Sequence, residues 1–399
     1  MDIKYFFEKI KDVKISDCLS VFPMLVARCM TPIYKKKYNS SWLICEEPME
    51  ARDNGYHFFR YMCLNHPEQK CYYAIKKNSV DYKKVSEIGE VIEYGSIKHW
   101  IAYFLCKYNI SSQKGGKPNA ALCYFFEMNR IFKPQNVFLQ HGVTKDQAKW
   151  LYAEKCNFKY FITAAIPEDY MIKKDYGYPE NVVQMTGFPR YDALDSSETI
   201  KKRVLIMPTW RNWFNLNSKS GDDINKDFTH SDYLKKWLEL LNDKKLEKIT
   251  SEYQLEVIFF LHRNMQRYIE SFKNVKNHIT LASWENYDIQ NLLKTSVCMI
   301  TDYSSVFFDM IYMEKPIVFY QFDEIEYRKY QYQKGWFDYH NNPFSQSYAN
   351  KEEVTNKIEE YAKNEFCMDE KYKKACSEVF KFLDKNNSKR VYELLIQGR

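Results

Sequence analysis

The sequence predicts two doubly wound α/β lobes, each built on a parallel sheet, and three observations carry that prediction. Its 399 residues exceed what one core ordinarily fills and suit two domains. Short apolar or β-rich runs alternate with helical stretches, which is the pattern of β-α-β units. The pattern then restarts after Gly187-Phe188-Pro189, so the expected domains are residues 1–190 and 191–399, with a cleft between two lobes.

Taken in order, residues 1–38 carry Ile3, Phe6, Phe7, Ile10 and Val13 at helical spacing and end in the basic run Lys35-Lys36-Lys37. They read as one or two amphipathic helices. Two roles fit: a helix packed on the first domain, or an interfacial segment whose lysines meet anionic lipid. From Ser41 onward, strands are expected at 42–45, 71–75, 91–94, 137–140, 160–163 and 182–185. They resume at 204–207, 255–261, 279–282, 297–301 and 317–320, and helices close the chain. Residues 212–229, rich in Asn, Ser, Gly and Asp, read as a loop. Two adjacent carboxylates without further ligands hold a divalent ion poorly, so Asp222-Asp223 within it reads as solvated and no metal is expected.

Composition excludes a disordered chain, since 45% of residues are hydrophobic and 17% aromatic. A formal charge of +7 is compatible with anionic substrates, an anionic membrane surface or nucleic acid and selects none of them. The 11 cysteines are scattered without a Cys-x-x-Cys pair, which points to a reducing, cytoplasmic setting. No apolar run reaches the ~20 residues of a membrane span. Lys4, Glu8, Lys9, Lys11, Asp12 and Lys14 interrupt any signal-peptide core.

Ligands of open α/β sheets bind at the carboxyl ends of strands, beside helix amides that attract anions. That rule turns the strand ends into a search: Cys45-Glu46-Glu47 with Arg52-Asp53-Asn54-Gly55, Gln140-His141-Gly142-Val143, Thr186 to Asp192, Pro208-Thr209-Trp210-Arg211, Leu261-His262-Arg263-Asn264 and Thr301-Asp302-Tyr303-Ser304-Ser305. In the last of these a buried strand breaks into a helix through small hydroxyl residues, whose amides and hydroxyls suit a diphosphate. Asp302 and the serines also suit helix capping. His141, against a glycine that lets a ligand approach closely, suits a general base. His262-Arg263 pairs an imidazole with a permanent cation where charge grows on a phosphoryl group, and Arg211 offers another cation.

These residues in this order resemble a known family. His141-Gly142, Gly187-Phe188-Pro189-Arg190-Tyr191-Asp192, Pro208-Thr209-Trp210-Arg211, His262, and Thr301-Asp302-Tyr303-Ser304-Ser305 with Phe308-Asp309 are similar to the CDP-glycerol poly(glycerophosphate) glycerophosphotransferases of teichoic-acid and capsule synthesis. The early segment from Trp42 through Asp53-Asn54-Gly55-Tyr56-His57-Phe58-Phe59 is similar too, so the resemblance spans about residues 42–323. It implies a glycosyltransferase-B-like fold of two Rossmann-type lobes, an acceptor-side first domain, a CDP-donor-binding second domain, and a peripheral place on the cytoplasmic face of the membrane.

The implied reaction is in-line attack by a hydroxyl of a polyol-phosphate or lipid-linked glycan acceptor on the β-phosphorus of a CDP donor, expelling CMP. His141 takes the proton, while His262, Arg263, Ser304, Ser305 and helix amides receive the phosphate charge. Thr209, Arg211 and Asp302 join the donor site, Asp309 reaches the ribose or serves helix packing, and Arg52, Asp53, Asn54 and Gly142 face the acceptor. No cofactor and no metal are expected. CDP-glycerol is the leading donor, with CDP-ribitol or a nucleotide-sugar glycosyltransfer on the same fold as alternatives. A non-catalytic nucleic-acid-binding protein is the remaining rival. The basic residues form no sustained stripe, so no nucleic-acid partner is expected.

Overall fold

Trp42-Leu43-Ile44-Cys45 is apolar throughout and buried throughout, as a strand covered on both faces must be. It is β1, an interior strand of the first of two sheets in this computed structural model, which describes residues 15–195, 202–214, 227–276 and 278–398. The contacts divide the chain into two units. Unit 1 takes the residues up to Val143, Ala148–Ala193 and those from Phe380 on; unit 2 takes Thr144–Gln147 and Leu194–Val379.

The unit 1 sheet adds β2 (Cys71–Ile75), β3 (Val91–Glu93), β4 (Tyr108–Ser111), β5 (Asn136–Phe138), β6 (Tyr160–Thr163) and β7 (Val183–Met185). Its order is β3-β2-β1-β4-β5-β6-β7, parallel at every pairing. The order reverses between β1 and β4, which is where a doubly wound sheet opens a crevice at its carboxyl edge. Unit 2 repeats the scheme with β8 (Arg203–Ile206), β9 (Glu256–Phe260), β10 (Ile279–Ala282), β11 (Cys298–Thr301), β12 (Ile317–Tyr320) and β13 (Ser347–Tyr348) in the order β10-β9-β8-β11-β12-β13. Its switch point lies between β8 and β11.

Helix starts follow local capping chemistry. Ser96 accepts the His99 N–H, Ser231 that of Leu234, Asp288 that of Asn291 and Asn350 that of Glu353, each satisfying an amide that the helix itself leaves unpaired. The core of unit 1 gathers Leu43, Tyr72, Trp100 and Tyr103 under the helix Val21–Tyr38. That of unit 2 packs Trp237, Phe259, Leu246 and Tyr320.

Three expectations change. Strand β4 escapes sequence reading because Tyr108-Asn109-Ile110-Ser111 carries two polar residues, yet all four are buried and Asn109 spends its amide on the Tyr103 carbonyl. β13, only two residues long, also goes unread. The last 20 residues, assigned from sequence to the second domain, belong to unit 1. Asp192 accepts from the Asn387 and Ser388 amides, Tyr392 stacks on His66 at 3.6 Å, and Tyr108 donates to the Leu395 carbonyl. The expected amphipathic residues Ile3 to Val13 and the Asp222-Asp223 pair lie outside the described residues.

Candidate active site

In unit 1 the strand ends converge on one imidazole. Gln140, after β5, adopts a left-handed backbone (φ 60°) and is buried, which turns His141 outward until 64% of its side chain is exposed. Asp53 caps the helix Asn54–Asn65 by accepting the Asn54 N–H at 2.8 Å, and its other oxygen lies 2.5 Å from His141 Nδ1. A carboxylate that close places a hydrogen on Nδ1 and leaves Nε2 with a lone pair. The Gln113 side-chain nitrogen lies 3.0 Å from the same Nδ1. Packing opposes charge on His141, but the Asp53 carboxylate outweighs it and raises the imidazole above 6.5. Burial likewise works against ionised Asp53, and His141, Arg190 and the Asn54 amide together bring it below 3.8.

Arg190 locks the pair from behind. Its Nη1 donates to Asp53 Oδ1 at 3.1 Å and to the His141 carbonyl at 2.6 Å. Asn54 has no exposed surface; its amide nitrogen donates to the Gln140 carbonyl at 2.7 Å and its oxygen accepts the Arg190 N–H at 3.0 Å. Arg52 pairs with Asp81 at 2.9 Å. Of the four residues expected to face the acceptor, Asp53 therefore orients His141, Asn54 and Arg52 brace the backbone, and Gly142 stays half-buried beside the histidine. The Gly187 to Asp192 motif is also scaffolding: Gly187 (φ 78°) turns tightly against Asn387, Arg190 holds Asp53, and Asp192 holds the last helix.

Unit 2 treats charge differently. Arg211, after β8, and Asp302, after β11, are both fully shielded, with Nη2 2.7 Å from Oδ2. Arg211 Nε also meets Asp323 at 2.8 Å, and Nη1 donates to the Thr209 carbonyl. Tyr233, Tyr303 and Tyr327 enclose the guanidinium, each ring centroid 5.0–5.3 Å away. Asp302 Oδ1 accepts from the Thr209 and Tyr303 amides at 2.8 and 2.6 Å, and Gln321 donates to its carbonyl. The donor contacts expected of Arg211 and Asp302 thus give way to a clamp across the ends of β8 and β11, because neither side chain has surface to offer. Lys315, just before β12, donates to the carbonyls of Leu293 and Lys294 at a helix C-terminus.

What the clamp presents is small and polar. Ser304 is buried and accepts from Val306 N–H, whereas Ser305 is half-buried; the following helix Phe307–Tyr312 buries Asp309. Thr209 Oγ1 is buried and has no hydrogen-bond partner among the described residues. His262, half-buried after β9, accepts the Asn264 N–H on Nδ1 at 3.2 Å, so its neutral ring carries hydrogen on Nε2. Arg263 follows, also half-buried. Among the described residues no group of three or more His, Cys, Asp or Glu side chains is arranged to hold a metal ion.

Sequence reasoning missed Ser112 and Gln113, which follow the unread β4, and Asp323, which only the buried pairing with Arg211 reveals. Glu46 stood at an expected strand end without a role. The signal for all four is position after a strand, once the strands are correctly placed.

A family model described as CDP-glycerol:poly(glycerophosphate) glycerophosphotransferase matches residues 26–397. The minor teichoic acid biosynthesis protein GgaB of Bacillus subtilis (strain 168) is 33% identical over 368 residues, 89% of this chain and 39% of its own length. The teichoic acid glycerol-phosphate primase of the same strain is 28% identical over 205 residues, 49% of this chain and 47% of its own length. This chain thus spans less than half the length of these curated relatives. A solved structure of the wall teichoic acid polymerase TagF matches with a TM-score of 0.66 at 14% identity, covering 97% of this chain and 98% of that one. That likeness is one of fold, and it agrees with two Rossmann-like lobes of the glycosyltransferase-B kind.

Proposed function

The chain belongs to the CDP-glycerol:poly(glycerophosphate) glycerophosphotransferase family, and on that premise we propose that it transfers glycerol phosphate from CDP-glycerol to a teichoic-acid-like polymer. One observation carries the catalytic reading: an exposed imidazole whose Nδ1 is committed to a carboxylate and whose Nε2 is open. The acceptor hydroxyl gives its proton to His141 Nε2, its oxygen bonds to the donor β-phosphorus, and the bond to the bridging oxygen breaks, so CMP leaves with that oxygen.

Unit 2 supplies the donor side. His262 Nε2–H, Arg263 and the Ser304-Ser305 turn donate to phosphate oxygens, and the unpartnered Thr209 hydroxyl gains an acceptor there. Leaving a buried hydroxyl unpaired costs about 1–3 kcal/mol, which a bound donor returns. Arg211, Asp302 and Asp323 hold that surface without touching the ligand. Donor binding is metal-independent in this reading, so a chelator leaves donor affinity unchanged; affinity that appears only with magnesium contradicts it.

Offering the protein CDP-glycerol, CDP-ribitol and a set of nucleotide-sugars, with a phosphopolyol or glycan acceptor, tests the activity by nucleotide release and product mass. CMP release with a glycerol-phosphate increment is the expected result. A ribitol-phosphate increment changes the unit transferred, and turnover of a nucleotide-sugar alone overturns the phosphotransfer.

We further propose that the protein works on an anionic membrane surface, peripherally and from the cytoplasmic side. Among the described residues no helix is long and apolar enough to cross a membrane. Yet Phe22, Leu25, Cys29 and Ile33 run along one outer stripe of the helix Val21–Tyr38, Phe22 72% and Ile33 77% exposed, and Lys35, Lys36 and Lys37 follow. An apolar stripe ending in lysines suits the boundary between acyl chains and anionic headgroups. Co-sedimentation with phosphatidylglycerol vesicles but not phosphatidylcholine vesicles is expected; equal binding to both, or to neither, contradicts it.

A further inference from the structure

Glu46 follows β1 directly and is buried, a costly place for a carboxylate unless every lone pair is used. Its Oε1 accepts from Gly55 N–H at 2.6 Å, Tyr56 N–H at 3.1 Å and Ser112 Oγ–H at 2.7 Å, and its Oε2 accepts from the Tyr73 hydroxyl at 2.6 Å. Ser112 Oγ also takes the Gly55 N–H at 2.7 Å. A Cβ on Gly55 would stand 2.8 Å from Glu46 Cγ and Oε1, so this approach needs glycine. The ends of β1 and β4 and the first turn of the helix Asn54–Asn65 therefore meet at one carboxylate. That same first turn is capped by Asp53, the residue that grips His141.

We propose that Glu46 is a positioning residue for the phosphotransfer: it anchors the helix start from which Asp53 reaches His141, and it sets a second negative charge behind that pair. The inference rests on the reading of His141 as the base. Hydrogen-bonding chemistry alone could be met by a neutral group, but the electrostatics tie the three side chains together. Burial and then the Asp53 charge raise Glu46 from 4.5 to about 7, against the pull of its Tyr73, Ser112 and Tyr56 bonds. Crowding by the surrounding protein works against charge on His141, and Asp53 with a smaller share from Glu46 raises it to a net value above 6.5. The other titratable groups facing this cluster are Tyr73 from β2, Arg190 after β7, and His57 on the helix, which burial holds neutral at about 3; Cys45 and Glu47 flank Glu46 in its own segment.

The test is a proton and carbon NMR titration of the full chain labelled at its 8 histidines, with His141 assigned by its loss in His141→Ala. Glu46→Gln is expected to lower the His141 midpoint by roughly half a unit or more, and to move the acid limb of turnover the same way while the acceptor KM stays within about twofold. Tyr73→Phe keeps the volume and removes one donor from Glu46, which favours its protonated form, so it lowers the His141 midpoint in the same direction; it decides the matter if Glu46→Gln fails to fold. An unchanged His141 midpoint in the folded variants overturns the proposal. The titration needs no turnover, so a protein inactive with every CDP donor would defeat the functional reading and leave this arm to stand or fall by itself.

Discussion

The two units share a strand order and a switch point, yet their strand ends handle charge in opposite ways. Unit 1 buries carboxylates and exposes an imidazole; unit 2 buries a guanidinium with its two carboxylates and the Ser304 and Thr209 hydroxyls, and leaves His262 and Ser305 half-buried. The two histidines differ accordingly. His141 has Nδ1 beside a carboxylate and keeps a lone pair on Nε2, whereas His262 has Nδ1 beside an amide N–H and keeps a hydrogen on Nε2. One is built to take a proton and the other to donate a hydrogen bond, although each is simply a histidine after a parallel strand.

That contrast breaks first at His141. His141→Ala is expected to cut turnover by roughly 100-fold or more while donor affinity, measured calorimetrically, stays nearly intact. Next comes the sealed cation of unit 2. Arg211→Met leaves Asp302 and Asp323 buried without their partner and is expected to cost about 3–5 kcal/mol of stability, read from the urea midpoint. An equal loss from Arg52→Met, at the Asp81 pair whose side chains keep 10% exposure, would show that the complete sealing of unit 2 is nothing special. Third, His262→Ala is expected to weaken donor binding and slow turnover by roughly 10-fold, with His262→Gln, which keeps a donor N–H, recovering part of it. His262→Gln behaving like His262→Ala would remove the donor role.

Two pH effects sharpen the comparison at smaller scale. A base must be neutral, so turnover is expected to rise with pH through a midpoint above 6.5, and Asp53→Asn is expected to bring that midpoint down. Stability follows Glu46. Between 4.5 and about 7 the folded chain holds that proton more tightly than the unfolded one, so unfolding free energy falls as pH rises across this window. In Glu46→Gln that part of the fall is absent, which thermal melts across the window will reveal.

Much of this was legible in the sequence. The six strand-end clusters lie where the search looks for them because an apolar run followed by a polar turn is a local feature; His141, His262, Thr209 and Ser304 all follow strands. What failed failed for physical reasons. β4 carries Asn and Ser in a buried strand, which period and hydropathy cannot recognise, and with it went Ser112 and Gln113. Arg211 and Asp302 look like ligand-binding charges in sequence, since nothing local says that each will be consumed by the other.

By itself, then, the sequence determined the two α/β lobes, the restart after Gly187-Phe188-Pro189, the family resemblance and the strand-end positions of the candidate residues. Only the tertiary structure decided which charges are spent and which are offered. His141 meets an Asp53 that is 88 residues away and Arg211 an Asp302 that is 91 away, and the last helix returns to unit 1 through an Asp192 cap 195 residues from Asn387. Tautomer, burial and ionisation depend on such partners, and no local pattern of residues encodes a partner brought in by the fold.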